Sequence, residues 1–289
     1  MFKRARLTTL AAVAAAGLGL VGLAVPATAA TTTSVTVDET SLGNGWTLSP
    51  DNGGSGAFVN GPATPPAGTG SFQFTVPSGA KVNLSTTTVA GQPLKGVDAV
   101  KYSTYRSSTS TMAANVVPGL NMQICAGGTA SGCSGYTTLV WEPVYAYGTQ
   151  ANSNNPIVND TWQTWNALGA TSSSDTGGWW STRAIPGVCA FNCFVSLAEI
   201  QAANPNAVIG SYGVNVGHGP AGTFAGNADA LTLGVSGSTT VYNFEHAVTL
   251  TSTAQCKGGG WATSTNPVFT NQGDCVSSFA SVGRARSEA

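Results

Sequence analysis

Apolar and polar residues alternate along the chain in short runs, and clusters of turn-forming residues separate the runs. The runs fall at 33–37, 45–48, 72–76, 81–86, 99–105, 120–124, 136–144, 162–168, 207–216, 230–235 and 240–245, between breaks such as Asp51-Asn52-Gly53-Gly54 and Gly61-Pro62. Many short strands with this punctuation predict an all-β protein, an antiparallel sandwich or barrel. Helical periodicity stands out at one place. Ser196-Leu197-Ala198-Glu199 is a capping box, Ile200 and Ala203 continue the turn, and Asn204-Pro205 ends it. The pattern predicts one short helix of about two turns between two strands.

The last alternating stretch, Asp229 to His246, reads as a hairpin. A type II′ turn at Gly237-Ser238 sets Leu233 opposite Tyr242 and Leu231 opposite Phe244, with His246 across from Asp229. Turning instead at Ser236-Gly237 sets Phe244 opposite Asp229. In either register Asp229 shares a face with Leu231 and Leu233, the face expected to be buried. A carboxylate there needs backbone donors, a cation or His246, and His246 is the partner named first.

Residues 1–29 break the pattern. Lys3, Arg4 and Arg6 precede an apolar run from Leu10 to Val25, and Ala27-Thr28-Ala29 follows Pro26. This is the layout of a secretory signal peptide cut after Ala29 or Ala30. No later segment is apolar enough to span a bilayer, so a secreted, extracellular protein is expected. The leader carries three of the 11 basic residues and none of the 12 acidic ones, which leaves eight against twelve, a net charge of −4. Charged residues are only 8% of the chain. No basic patch for nucleic acid can be assembled from so few scattered cations, and two histidines cannot build a His-rich metal centre.

All six cysteines, Cys125, Cys133, Cys189, Cys193, Cys256 and Cys275, follow the leader. An even count in an exported chain points to disulfides. Fifteen connectivities are open; the local one, Cys125–Cys133, Cys189–Cys193 and Cys256–Cys275, is the simplest. No C-x-x-C occurs, which argues against a thiolate metal site. The organisation expected is a leader (1–29), a sandwich domain (30–250) and a Cys-flanked C-terminal module with a frayed tail (251–289).

Two stretches carry a resemblance. Trp162-Gln163-Thr164-Trp165, Gly177-Gly178-Trp179-Trp180 and Asn227-Ala228-Asp229, followed by Val241-Tyr242-Asn243-Phe244-Glu245, resemble secreted bacterial jelly-roll sandwiches of concanavalin-like or galactose-binding-like architecture. The ending Cys256…Gly259-Gly260-Trp261…Phe269…Asn271-Gln272-Gly273-Asp274-Cys275-Val276 is similar to a short Cys-flanked module at the C-terminus of many exported bacterial proteins. The resemblance implies an antiparallel two-sheet jelly-roll sandwich with one short helix and a disulfide-closed C-terminal loop. Fold likeness brings no activity with it.

For chemistry, four of the seven tryptophans, Trp162, Trp165, Trp179 and Trp180, flank a polar segment containing Asp175. Aromatic faces stack on the C–H faces of sugar rings while Asp, Asn and Ser bond hydroxyls, so these five residues are the candidate glycan platform; the alternative is that the tryptophans fill the core. Glu142, Asp160, Asp175 and Glu245 lie near aromatics, but no motif sets two carboxylates on one strand face as glycoside hydrolysis requires. No G-x-S-x-G is present, and His218 and His246 read as structural. Asp229 is the candidate ligand for calcium; no other cofactor is expected. These features predict a non-catalytic binder of an extracellular glycan or cell-surface component. The alternatives are a glycan-active hydrolase and a purely structural exported protein.

Overall fold

The computed structural model describes residues 30–128, 132–146, 156–168, 178–191, 193–218 and 221–285. The leader and Asp175 lie outside them. The strands are β1 (Thr31–Val37), β2 (Trp46–Asp51), β3 (Ser55–Asn60), β4 (Gly70–Val76), β5 (Lys81–Thr86), β6 (Val97–Arg106) and β7 (Gly119–Cys125). They continue with β8 (Tyr136–Trp141), β9 (Trp162–Asn166), β10 (Trp179–Ser181), β11 (Val208–Gly217), β12 (Phe224–Val235) and β13 (Ser238–Phe244).

Among the described residues these form a two-sheet β-sandwich. The six-stranded sheet runs β10-β8-β7-β11-β5-β2 and is antiparallel throughout. The seven-stranded sheet is organised around β12, which pairs with β6 along one edge and with β4 and β13, end to end, along the other. β3 extends it beyond β4, β9 beyond β6 and β1 beyond β13. The β1–β13 ladder is parallel, so the expected all-antiparallel order fails at this one edge. Between the sheets lies an aromatic core. Trp46 meets Tyr242 and Phe244 edge-on, and Phe72 meets Phe58, Phe74 and Phe244 in the same way, a geometry the ring quadrupoles favour.

The helices are α1 (Pro143–Ala146), α2 (Leu197–Ala203) and α3 (Gln272–Ala285). α2 begins at the capping box: the Ser196 hydroxyl accepts from the Glu199 amide at 3.2 Å, and Glu199 accepts from the Ser196 amide at 2.8 Å. α3 is a further helix that the sequence pattern did not announce, and it starts where the Cys256–Cys275 bridge closes the C-terminal loop. Asn271 Oδ1 accepts from the Asp274 amide at 2.9 Å, and Asp274 accepts from the Thr270 amide at 3.0 Å, so the helix start is capped in both directions. Its Cys275, Val276 and Phe279 join Leu250, Cys256, Phe269, Val248 and Trp261 in a small hydrophobic cluster of their own. The three local cysteine pairs are disulfides, with Cα–Cα distances of 5.2, 5.6 and 5.8 Å in chain order.

The hairpin register also differs from the first expectation. Leu231 pairs with Tyr242 and Leu233 with Thr240, because the chain turns at Ser236-Gly237. Both residues have positive φ, 54° and 82°, the signature of a type I′ turn, which matches the twist of the flanking strands. Phe244 therefore takes the place opposite Asp229 that was assigned to His246. The imidazole instead lies on the surface, with Nδ1 2.6 Å from Glu39 Oε1.

Candidate functional site

The core face of the six-stranded sheet is apolar; its outer face is not. Side chains alternate across a pleated sheet, so Ser49, Asn83, Asn121, Gln123, Thr138 and Asn215 all stand on the outer side of their strands. They line a groove of about 760 Å³. Its floor is uncharged and rich in amides and hydroxyls. One end, beside β2, carries Asp51, Lys81 and His218; Asp51 faces Lys81 across the ladder and sits 3.3 Å from His218 Nε2.

The other end, beside β8 and β10, is aromatic. Trp180 stands next to Val140 on the outer face, and its ring lies 5.4 Å from that of Phe191 at a tilt of 34°. Phe191 is 54% exposed and occupies the Cys189–Cys193 loop at φ 52°, a left-handed conformation uncommon for a bulky residue. Tyr145, on α1, stacks on Phe194 at 4.6 Å and lines the same end. Between these rings sits Glu142, whose Oε2 accepts from Trp180 Nε1 at 3.1 Å. Burial raises the Glu142 carboxyl above its ordinary range, and the Trp180 bond only partly opposes this. Glu142 leans over Gly119 of β7: a Cβ there would lie 3.0 Å from its Cγ, so glycine keeps the space open.

One wall of the groove comes from the segment between β6 and β7, including Met112, Asn115 and Val116. Arg106 holds that segment from beneath. Its Nη2 donates to the Met112 carbonyl and its Nη1 to Asn159 Oδ1, both at 2.7 Å, with the guanidinium almost wholly buried. Burial lowers its pKa. Because the Met112 partner is a backbone carbonyl, the arginine fixes the path of that segment.

The predicted tryptophan platform is dispersed by the fold. Trp165 and Trp179 are fully buried, their Nε1 groups bonded to Thr104 Oγ1 and to the Ala167 carbonyl. Trp162 belongs to the other sheet, where it contacts Tyr105 and donates to the Pro62 carbonyl. Only Trp180 reaches the groove. Tyr145, Phe191 and Glu142 complete its surroundings. The sequence pairs Glu142 with Trp141 and places Phe191 between two close cysteines, but neither signal reveals that β8 and β10 are neighbours.

Asp229 is fully buried at the point where β4 and β13 meet along the edge of β12. Its Oδ1 accepts from the Phe244 amide at 3.0 Å and its Oδ2 from the Ala67 amide at 2.9 Å. Next to it, Ala230 has φ 52° and the β12–β6 register slips, a bulge that turns the strand. Burial pushes the Asp229 carboxyl up to about 6; the amides of Phe244, Ala230 and Ala67 hold it down, and the charge of Glu245 adds to the rise. Among the described residues no three His, Cys, Asp or Glu side chains come together. None of the described helices is long and apolar enough to cross a membrane.

No protein-family model and no curated protein matches the chain. Among solved structures it is similar to a carbohydrate-binding module from a study of promiscuous specificity in the β-sandwich superfamily, at 13% identity and a TM-score of 0.35. That match covers 68% of this chain and 59% of the module's. It is also similar to the family 11 carbohydrate-binding module of a cellulosomal cellulase of Clostridium thermocellum (8% identity, TM-score 0.34, covering 63% of this chain and 84% of that one). A structure of the family 11 module with a β-1,3-1,4-mixed-linked tetrasaccharide gives 9% identity and a TM-score of 0.35, over 70% and 91% of the two chains.

Proposed function

We propose that this protein is an exported, non-catalytic glycan-binding module whose ligand lies in the groove across the outer face of the six-stranded sheet. The groove itself carries the reading: an uncharged floor of Asn83, Asn121, Gln123, Thr138 and Asn215 ending at exposed aromatic rings. Amides and hydroxyls exchange hydrogen bonds with sugar hydroxyls, and flat rings cover the C–H faces of a pyranose. The leader-like N-terminus and three disulfides support export.

The carboxylates favour binding over hydrolysis. Among the described lining residues only Asp51 and Glu142 are acidic. They stand on or beside β2 and β8, four strand spacings apart, or about 19 Å at ~4.8 Å per strand. Hydrolysis with two carboxyl groups needs them within roughly 5–10 Å.

Binding of the purified protein to a glycan array, with and without calcium, tests the reading. Calorimetry then follows on the best ligand with wild type and Asn83→Ala/Asn215→Ala. A ligand is expected whose affinity falls at least tenfold in the double variant. No binding, or binding that the double variant leaves unchanged, would remove the groove from consideration.

A further inference from the structure

The aromatic end of the groove has acceptors and no cation. Glu142 accepts a hydrogen bond from Trp180, and no Lys, Arg or His lies among the described residues lining that end. Lys81 and His218 are at the far end with Asp51. One strand in from Glu142, on the floor, Asn121 Oδ1 is buried without a donor. The rings of Trp180, Phe191 and Tyr145 add the negative faces of three aromatic systems.

These features share one sign. A buried carboxylate without a counter-charge is unfavourable, and an orphaned carbonyl oxygen asks for a donor. Aromatic faces attract cations. A sugar hydroxyl supplies one donor and brings acceptors of its own, whereas an ammonium brings three donors, no acceptor and the missing positive charge. Burial already makes ionisation of Glu142 unfavourable in the free protein; an ammonium beside it reverses that by restoring the charged form.

We propose that the aromatic end is a subsite for a protonated amine, so that the groove prefers glycans containing a free amino sugar, with the ammonium against Glu142 and the ring against Trp180 and Phe191. This rests on the groove being a glycan site and names the sugar class it selects. Asn121 Oδ1 is the second acceptor for the ammonium.

The test uses three soluble oligosaccharides of equal length and β-1,4 linkage: glucosamine, N-acetylglucosamine and glucose. Each is titrated by calorimetry into the full folded protein at about pH 6, where the free amines are charged and the acetylated ones cannot be. The glucosamine oligomer is expected to bind at least tenfold more tightly than the other two. In Glu142→Gln that ratio should fall to about one, while in Asp274→Asn, which removes a charge from the C-terminal module outside the groove, it should persist. If Glu142→Gln fails to fold, the wild-type preference must persist at about 0.5 M salt, where general attraction of a cation to an acidic protein is screened; its loss there would overturn the subsite. Equal affinities for all three would overturn the amine subsite and leave the glycan groove standing. A preference that survives in Glu142→Gln would also overturn it, by showing general attraction of a cation to an acidic protein. Binding of none of the three would count against both readings.

Discussion

Replacing Asp229 by alanine leaves the amides of Phe244 and Ala67 without their acceptor. An orphaned buried amide costs ~1–3 kcal/mol, so the variant is destabilised, and by an amount that depends on pH. Burial raises this carboxyl from 3.8 to about 6. Between those values the folded protein keeps a proton that the unfolded chain has released. Stability from the group is therefore full below the unfolded value and is lost as pH rises through about 6. Roughly two pKa units correspond to ~3 kcal/mol, of which ~2 kcal/mol falls between about pH 4.5 and pH 7.5. Alanine carries no such dependence. The stability gap between wild type and Asp229→Ala should thus be wider at the acidic end, by ~4–8 °C in Tm at ~2–4 °C per kcal/mol for a domain of this size. Thermal melts followed by tryptophan fluorescence at both pH values, with and without calcium, measure it. A gap that is constant, or that widens with pH, refutes the reasoning. So does a wild-type Tm that rises with calcium while that of Asp229→Ala does not, since the carboxylate would then be serving as a cation ligand.

Ser196→Ala should cost ~1 kcal/mol through the lost cap of α2, read as a lower denaturant midpoint at unchanged slope; no change would mean the capping box is idle. Opening the Cys256–Cys275 bridge by a double change to serine releases a 19-residue separation worth ~3 kcal/mol. It should expose α3 to protease and hydrogen exchange while the sandwich keeps its protection, because the C-terminal cluster is separate from the main core; simultaneous loss of both would contradict that division. Arg106→Met leaves the carbonyls of the groove wall unbonded. A stability loss of ~2 kcal/mol or more and weaker ligand binding are expected; full binding in a folded variant would show that the wall plays no part.

Much of the fold is legible because each strand carries its own alternation and each break its own turn chemistry. The capping box around Ser196 and the buried parity of Asp229 are local patterns, and both are present in the structure. What failed was non-local or finely balanced. Two turns compete at Ser236-Gly237-Ser238, and the choice rests on Ser236 accepting a positive φ, which its side chain does not advertise. β1 and β3 sit on sheet edges with much of their length exposed, so the core imposes little alternation on them; β3 was missed altogether. The tryptophans divide by sheet, with Trp162 and Trp165 on β9 and the other two on β10, and then by face, because Trp179 and Trp180, as neighbours on a strand, must point opposite ways. The groove is a product of strand order: Asn83, Asn121, Asn215 and Trp180 are adjacent only because β5, β11, β7, β8 and β10 lie side by side, and no local stretch states that order.

The central place of β12 bears on when the molecule can become itself. As the chain emerges from its N-terminus, β3 can pair with β4 and β6 with β9, while β2 can find β5, and β7, β8 and β10 can form a meander. None of these pieces touches another through a ladder until β11 joins β7 to β5 and β12 joins β4 to β6, and β1 has no partner at all until β13 arrives. The three strands that close both sheets lie within residues 208–244, after most of the sandwich has already been made. Long-range pairing of this kind is slow. The pairings that join the early pieces into two closed sheets therefore become available only after residue 208, when most of the strands have already been synthesised.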